Sequence, residues 1–250
     1  MLHFPVLLEE SVDFLLNDLN GHYIDCTFGR GGHSKLILEK LTKDGFLTGI
    51  DKDPDAYEYA TKLKNNNFKI INDSFKNIEK YFEEESISGI LYDLGTCSTH
   101  LDQPERGFSF NKEGPLDMRF NNKTGIPLSD WLENASEEQI RDILYQYGDE
   151  KHAKLISNAI FRSKIKNKIT TTTQLSKIIK DIYPEKDKKI HPATKSFQAF
   201  RIFINNELEE ITSSLKAAEK VLKLGGFIVT IAFHSLEDNI IKNFFKPALV

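Results

Sequence analysis

The 250-residue chain has only two cysteines, one tryptophan and two methionines. No apolar run approaches the ~20 residues that a membrane-crossing helix needs. Cys26 and Cys97 are too few for a disulfide framework and form no metal-ligand pair by spacing, so no metal is expected and a reducing cytoplasm fits. Residues 1–17 carry acids where a secretion signal has a basic start, and they lack a small-residue cleavage site. Secreted and membrane roles are set aside. Also missing are the Gly-Lys-Ser/Thr of a phosphate-binding loop and the third glycine of a G-x-G-x-x-G turn.

What is present is apolar mass: 40% hydrophobic residues, with 18 Phe and 8 Tyr. This suits one large domain, or one domain carrying an inserted smaller one. The formal net charge of −4 conceals a split. Residues 151–201 hold 13 Lys/Arg against three acids, Asp181, Glu185 and Asp187, a local net of +10. No acid lies between Lys151 and Lys180. A run of this kind is either a solvated lysine-rich face or a phosphate-binding surface, and the length without an acid favours a polyanion.

Short β-like runs alternate with helical patterns over the first hundred residues, the signature of βαβ units and a parallel sheet. Residues 7–16 read as an amphipathic helix. Strands are expected ending at Tyr23-Ile24-Asp25 and over residues 46–51, 68–72 and 87–93, with helices over 34–41, 54–63 and 75–84. Asp53 is an N-cap followed by Pro54 in the first turn. Residues 95–130, rich in Gly, Pro, Asp and Asn, read as a long loop; 128–180 and 197–224 are helical with breaks. Gly225-Gly226 introduces a fifth strand over 227–233, and a helix over 236–245 follows. The expected architecture is an open α/β sheet with a helical unit inserted after its fourth strand.

Ligands bind such sheets outside the carboxyl ends of the strands. After the first strand comes Asp25-Cys26-Thr27-Phe28-Gly29-Arg30-Gly31-Gly32-His33-Ser34, whose glycines permit a tight turn and close approach of a ligand. Asp51 ends the second strand 20 residues after Gly31, where an acid can accept both hydroxyls of a ribose. Asp73-Ser74-Phe75 follows the third strand and offers an aromatic to an adenine, and Asp93-Leu94-Gly95 ends the fourth. A nicotinamide cofactor and a purely structural turn remain alternatives. An acid ahead of the glycines repels a pyrophosphate, however, and suits the ammonium and sulfonium of S-adenosylmethionine.

These motifs, taken with others, resemble the bacterial 16S ribosomal RNA cytidine-N4 methyltransferases of the RsmH (MraW) type. The resemblance spans essentially the whole chain. It rests on His3 with Pro5-Val6-Leu7-Leu8, on the segment from Asp25 to Ser34, and on Asp93-Leu94-Gly95 with Leu101-Asp102. It continues through Glu105-Arg106-Gly107-Phe108-Ser109-Phe110, Gly114-Pro115-Leu116-Asp117-Met118-Arg119, His191-Pro192-Ala193-Thr194, Phe197-Gln198-Ala199 and Phe233-His234-Ser235-Leu236-Glu237-Asp238. It implies a class I S-adenosylmethionine-dependent methyltransferase with a Rossmann-like open sheet, formed by residues 1–98 and 201–250. Residues 99–200 would be an inserted all-helical substrate-recognition domain. It further implies a cytoplasmic enzyme acting on the small ribosomal subunit, in the decoding region of its RNA. The oligomeric state stays open.

In that family the cofactor contacts match Gly31, Gly32, His33, Asp51, Phe75 and Asp93, and a further one falls on His100. His100 replaces the usual glutamine, and Thr96-Cys97-Ser98-Thr99 stands where a serine pair and a proline are usual. The family runs several tens of residues beyond the position of Val250, including a segment that looks like a last strand; without it an exposed sheet edge is expected. Asp93 is the expected proton acceptor for the cytosine N4, with orientation of the methionine amine as its alternative role. Arg162, Lys164, Lys166 and Lys168, with Arg106, are the expected RNA contacts, and Phe108 and Phe110 are stacking candidates or core plugs. Asp117 and Arg119 carry no assigned role. The residue types of a hydrolase triad in His234-Ser235 with Glu237 and Asp238 are discounted, because no nucleophile elbow accompanies them. The competing reading is a catalytically weak RNA-binding ribosome assembly factor that keeps the fold.

Overall fold

The computed structural model describes residues 5–183 and 190–246. His3 and the charged stretch 184–189, with Glu185 and Asp187, lie outside the described residues. The chain runs α1 (Leu8–Leu15), β1 (His22–Asp25), α2 (Gly32–Lys40), β2 (Phe46–Ile50), α3 (Pro54–Thr61) and β3 (Phe68–Ile71). A 3-10 turn (Phe75–Lys80) leads to β4 (Ile87–Asp93). Next come α4 (Ser98–Asp102), a second 3-10 turn (Pro104–Arg106), α5 (Leu128–Asn134), α6 (Glu137–Gly148), α7 (Ala153–Lys166), α8 (Thr172–Lys180) and α9 (Thr194–Asn205). The chain closes with α10 (Glu207–Val221), β5 (Leu222–Ile231) and α11 (Ser235–Phe245).

Two compact units result. The first comprises Met1–Gly95 with Leu208–Val250, and the second Thr96–Glu207. The first boundary lies three residues before the 98/99 expected, and the second lies beyond 200/201 because α9 is one uninterrupted helix. It carries Phe197, Ala199 and Phe200 into the helical core, and it ends only where Asn206 turns left-handed at φ 52°.

In the first unit five parallel strands form a sheet in the order β3-β2-β1-β4-β5. Successive strand residues face opposite sides, so a central strand with both faces covered is mostly apolar and buried throughout. Residues 87–92 of β4 are all buried. Ile24, Ile90 and Tyr92 pack with Ile211, Leu215 and Ala218 of α10 and with Ile241 of α11. Tyr23, Leu47 and Leu91 face the other way, against Val12 and Leu15 of α1 and Ile37 of α2. β5 is the outermost strand, and Leu224 on it is fully exposed.

Local chemistry sets the element boundaries. The Asp53 carboxylate accepts from Asp55 N–H, capping α3 as its sequence suggests. The helix expected over 75–84 shortens to a 3-10 turn with Asn77 off helical geometry (φ −95°, ψ 15°). β5 starts at Leu222, three residues before the glycines expected to introduce it. In the second unit, Ser136 with Gln139 and Thr171 with Gln174 form capping boxes that start α6 and α8. The segment read as loop from 95 to 130 contains α4 and the second 3-10 turn. Among the described residues, no helix is long and apolar enough to cross a membrane.

Candidate active site

The strand order steps from β3 back to β1 and then jumps to β4. The crevice between the carboxyl ends of β1 and β4 is therefore the switch point at which open α/β sheets bind ligands. Asp25 ends β1 and Asp93 ends β4.

Asp25 is buried and committed to its own turn. One oxygen accepts Thr27 N–H at 3.1 Å and the other accepts the Ser34 hydroxyl at 2.6 Å. Burial holds its carboxyl above the ordinary aspartate range, against the pull of Ser34, His33 and Thr27. Its role is to brace the loop rather than to face a ligand's positive charge directly. The glycines are likewise used by the chain itself. Gly31 caps α2 at φ 71°, a left-handed conformation that disfavours any side chain, and a Cβ there would lie 2.8 Å from the Phe28 ring. A Cβ on Gly32 would meet Pro5 at 2.2 Å. The close approach that these glycines permit is thus to Phe28 and Pro5.

Asp51 follows β2, and its carboxylate ties two loops together. Oδ2 accepts Gly29 N–H at 2.8 Å and Oδ1 accepts Asp53 N–H at 2.9 Å. Its orientation is preset before any hydroxyl arrives. Phe75 opens the 3-10 turn and is fixed from behind by a relay. The Ser214 hydroxyl donates to Phe75 O at 3.0 Å, so the Tyr92 hydroxyl, 2.7 Å from Ser214 Oγ, must donate to it. The Phe75 ring meets Tyr92 edge-on at 5.7 Å.

Asp93 is perturbed as well. Its N–H donates to Thr27 Oγ1 at 2.7 Å, linking the ends of β4 and β1. Its Oδ2 lies 3.7 Å from Nδ1 of buried His33, whose Nε2 is 3.3 Å from Val6 O. Its Oδ1 is buried with no hydrogen-bond partner among the described residues. Burial raises this carboxyl from its ordinary value of 3.8 to about 6; His33 opposes the rise, while the nearby acids Asp25 and Glu237 add to it. A carboxyl so placed can take up a proton near neutral pH without a large driving-force penalty.

The second unit holds the remaining expected residues. His100 is buried, with its ring 4.9 Å from Phe108 and 5.1 Å from Phe120. Burial pushes the neighbouring Cys97 thiol up, but the hydrogen bond and charge of His100 and the Thr99 hydroxyl outweigh this and leave it below its ordinary value. Arg106, expected as an RNA contact, is buried at 3% exposure. It donates to Arg119 O at 3.2 Å and Phe120 O at 2.7 Å, so its guanidinium holds a loop and is not offered to phosphate. Arg119 grips both oxygens of Asp117 at 2.7 Å and reaches Thr124 O and Gly125 O, which gives this pair a structural role.

The four cations around α7 divide. Lys164 donates to Leu132 O, Glu133 O and Ala135 O, capping the end of α5. Lys168 pairs with Asp130 at 2.9 Å and Glu133 at 2.6 Å. Arg162 and Lys166 are exposed and one turn apart. Phe108 is buried in the ring stack and is a core plug, while Phe110, partly buried, packs against the same core and lies flat on His191 at 4.4 Å.

The family model described as the MraW methylase family matches residues 1–249. The chain belongs to this family. A protein named ribosomal RNA small subunit methyltransferase H from Marinomonas sp. (strain MWYL1) is 45% identical over 98% of this chain and 80% of its own length. One of the same name from Buchnera aphidicola subsp. Cinara cedri is 47% identical over 98% of this chain and 81% of its own. An S-adenosylmethionine-dependent methyltransferase structure from Aquifex aeolicus overlaps 54% of this chain and 76% of its own at 14% identity and a TM-score of 0.31, too loose a match to bear on function.

Sequence reading misses several supports of this candidate site. Thr27, Ser34 and Ser214 fix Asp93, Asp25 and Phe75 through hydroxyls that leave no periodic trace. Glu237 reads in sequence only as a helix-start acid. It does sit in the first turn of α11, yet it is fully buried and accepts Phe233 N–H at 2.8 Å while facing His234 Nε2 at 2.9 Å.

Proposed function

We propose that this chain uses S-adenosylmethionine to methylate N4 of a cytidine in the ribosomal RNA of the small subunit. The observation that carries the reading is Asp93, a buried carboxyl at the switch point with a pKa raised to about 6 and an oxygen lacking a donor, in a chain of the methylase family. The cofactor supplies an electrophilic methyl group when bound. Its amino acid and ribose would be held by the main chain of Gly31, Gly32 and His33 and by Asp51, and its adenine by Phe75. His100 is carried as a contact on the family pattern alone.

The acceptor nitrogen is a weak nucleophile, since its lone pair is delocalised into the pyrimidine ring. Hydrogen bonding of an N4 proton to Asp93 Oδ1 localises that pair, and the raised basicity lets the carboxylate keep the proton. Positioned proton acceptors of this kind contribute about 10²–10⁴-fold. Thr27 fixes the Asp93 main chain, and His33 beside Oδ2 favours its ionised form until the proton arrives. The site of action would be the cytoplasm. The alternative of a catalytically weak assembly factor is not favoured, because it leaves the perturbed Asp93 without a purpose and its relatives carry methyltransferase names.

The deciding experiment incubates the chain with methyl-labelled S-adenosylmethionine and unmethylated small subunits, followed by nucleoside analysis. Label in N4-methylcytidine is expected; label elsewhere, or none, removes the reading. Arg162 and Lys166 supply the phosphate contacts in this proposal. Their joint change to Ala is expected to reduce the salt slope of RNA binding by roughly one unit per lost contact. Lys164→Ala is expected to leave the slope unchanged and to lower the melting temperature. The reverse pattern would move the RNA surface elsewhere.

A further inference from the structure

A base removed from its stack loses roughly a few kcal/mol unless something replaces the neighbour it leaves. Neither aromatic in the glycine-rich segment provides that replacement, since Phe108 and Phe110 are both committed to rings of their own unit. One exposed aromatic does stand at the carboxyl edge of the sheet beside Asp93. β4 and β5 run in register with Asp93 opposite Ile231, and Leu94 N–H donates to Ile231 O at 3.0 Å. Two residues further along lies Phe233, 56% exposed and belonging to none of the hydrophobic clusters of the first unit.

Its placement is built rather than incidental. The Phe233 N–H donates to Glu237, a carboxylate with no solvent exposure, and such a group is costly to bury unless its bonds are needed. The second oxygen of Glu237 faces His234, whose Nδ1 accepts Glu237 N–H at 3.4 Å and so completes a closed loop around the end of β5. On the β4 side stands Gly95 at φ 99°, and a Cβ there would come within 3.4 Å of the Phe233 ring. A fully buried acid spent on the backbone of an exposed phenylalanine adds nothing to the core.

We propose that Phe233 is the stacking platform for the acceptor base, the ring on which the target pyrimidine lies while its exocyclic amine is presented to Asp93. The inference rests on the base-methylation reading above. Phe233 positions substrate, and the Glu237–His234 lock positions Phe233.

Two measurements on the full chain test it. With labelled cofactor and small subunits, Phe233→Ala is expected to lower kcat/KM for the subunit roughly 10- to 100-fold, the range that one base–aromatic stack supplies. Phe233→Leu should fall nearly as far, and Phe233→Trp should recover most of the loss. Cofactor affinity by calorimetry should stay within twofold throughout. In the second measurement a single-stranded RNA carrying pyrrolocytidine, a base dimmed by stacking, is titrated with the chain. Quenching is expected for the wild type and not for Phe233→Leu. If Phe233→Leu methylates normally, or weakens cofactor binding as much as turnover, the platform is wrong while the methyltransferase reading stands. If the wild type transfers no methyl group yet quenches through Phe233, the reverse holds. Absence of both turnover and Phe233-dependent quenching removes both.

Discussion

Asp93→Asn is expected to abolish most methyl transfer while making the protein more stable at pH 8. The asparagine keeps the shape and an acceptor oxygen but cannot hold a proton, so kcat should fall at least ~100-fold, within the range lost with a positioned base. Cofactor affinity should change less than about threefold if proton acceptance is the role; a large loss of affinity with kcat preserved would instead assign Asp93 to the cofactor's amine. The wild-type rate should rise with pH through an inflection near 6, because the acceptor must be ionised. The stability effect has the opposite sign. Burial, with Asp25 and Glu237, lifts the folded-state pKa from 3.8 to about 6, so the folded protein binds the extra proton between those values. Stability is therefore highest below pH 4 as far as this group is concerned, falls as pH rises through 6, and levels off above. A rise of that size corresponds to roughly 3 kcal/mol, reduced by partial exposure to about 2. Melts of the two proteins should diverge by several degrees at pH 8 and converge near pH 4. Parallel melts at both values would mean that Asp93 ionises without strain, and the raised basicity would go with it.

How much of this is legible in the sequence depends on what kind of signal each residue leaves. β4 is readable to its last residue because a strand buried on both faces carries no charge along its length, and 87–93 is an uncharged, mostly apolar run that ends in an acid. Asp53-Pro54 announces a helix start by cap and ring geometry together. The site acids are readable because strand ends fix where they stand. The cations around α7 are not separated, although their spacing holds a clue. Lys164 continues the four-residue series of buried Ile156 and Ile160, so it lies on the core-facing stripe, whereas Arg162 and Lys166 share another face. Charge counting treats all as equal, and only the helix that meets the stripe decides which lysine is consumed. Glu237 shows the same limit: its acidic character suits a helix start, and nothing in the sequence separates a solvated first-turn acid from one buried under Phe233.

Arg106→Ala is expected to destabilise the helical unit by about 3–5 kcal/mol, the usual consequence of removing one member of a buried charged network. Its guanidinium serves Phe120 O and Arg119 O, while Asn205 serves the same loop from α9, accepting Phe120 N–H at 2.7 Å and donating to Met118 O at 2.7 Å. Met118 between them is held at φ 65°, a conformation a non-glycine residue keeps only when its surroundings impose it. Without Arg106 the carbonyls lose a charged donor, and the restraint on that backbone weakens. Trp131, the single tryptophan, sits on α5 with its ring 4.7 Å from Phe203, so its fluorescence follows this unit. At an m-value of about 2 kcal/mol/M, the urea midpoint of the tryptophan signal should drop by roughly 1.5–2.5 M. Asn205→Ala should act in the same direction, and the double variant should lose less than the two single losses together, because both serve one loop. RNA binding by folded Arg106→Ala should keep its salt slope. A slope lowered by one unit with an unmoved tryptophan transition would return Arg106 to the RNA surface, and only a mobile, outward-turned guanidinium is compatible with that outcome.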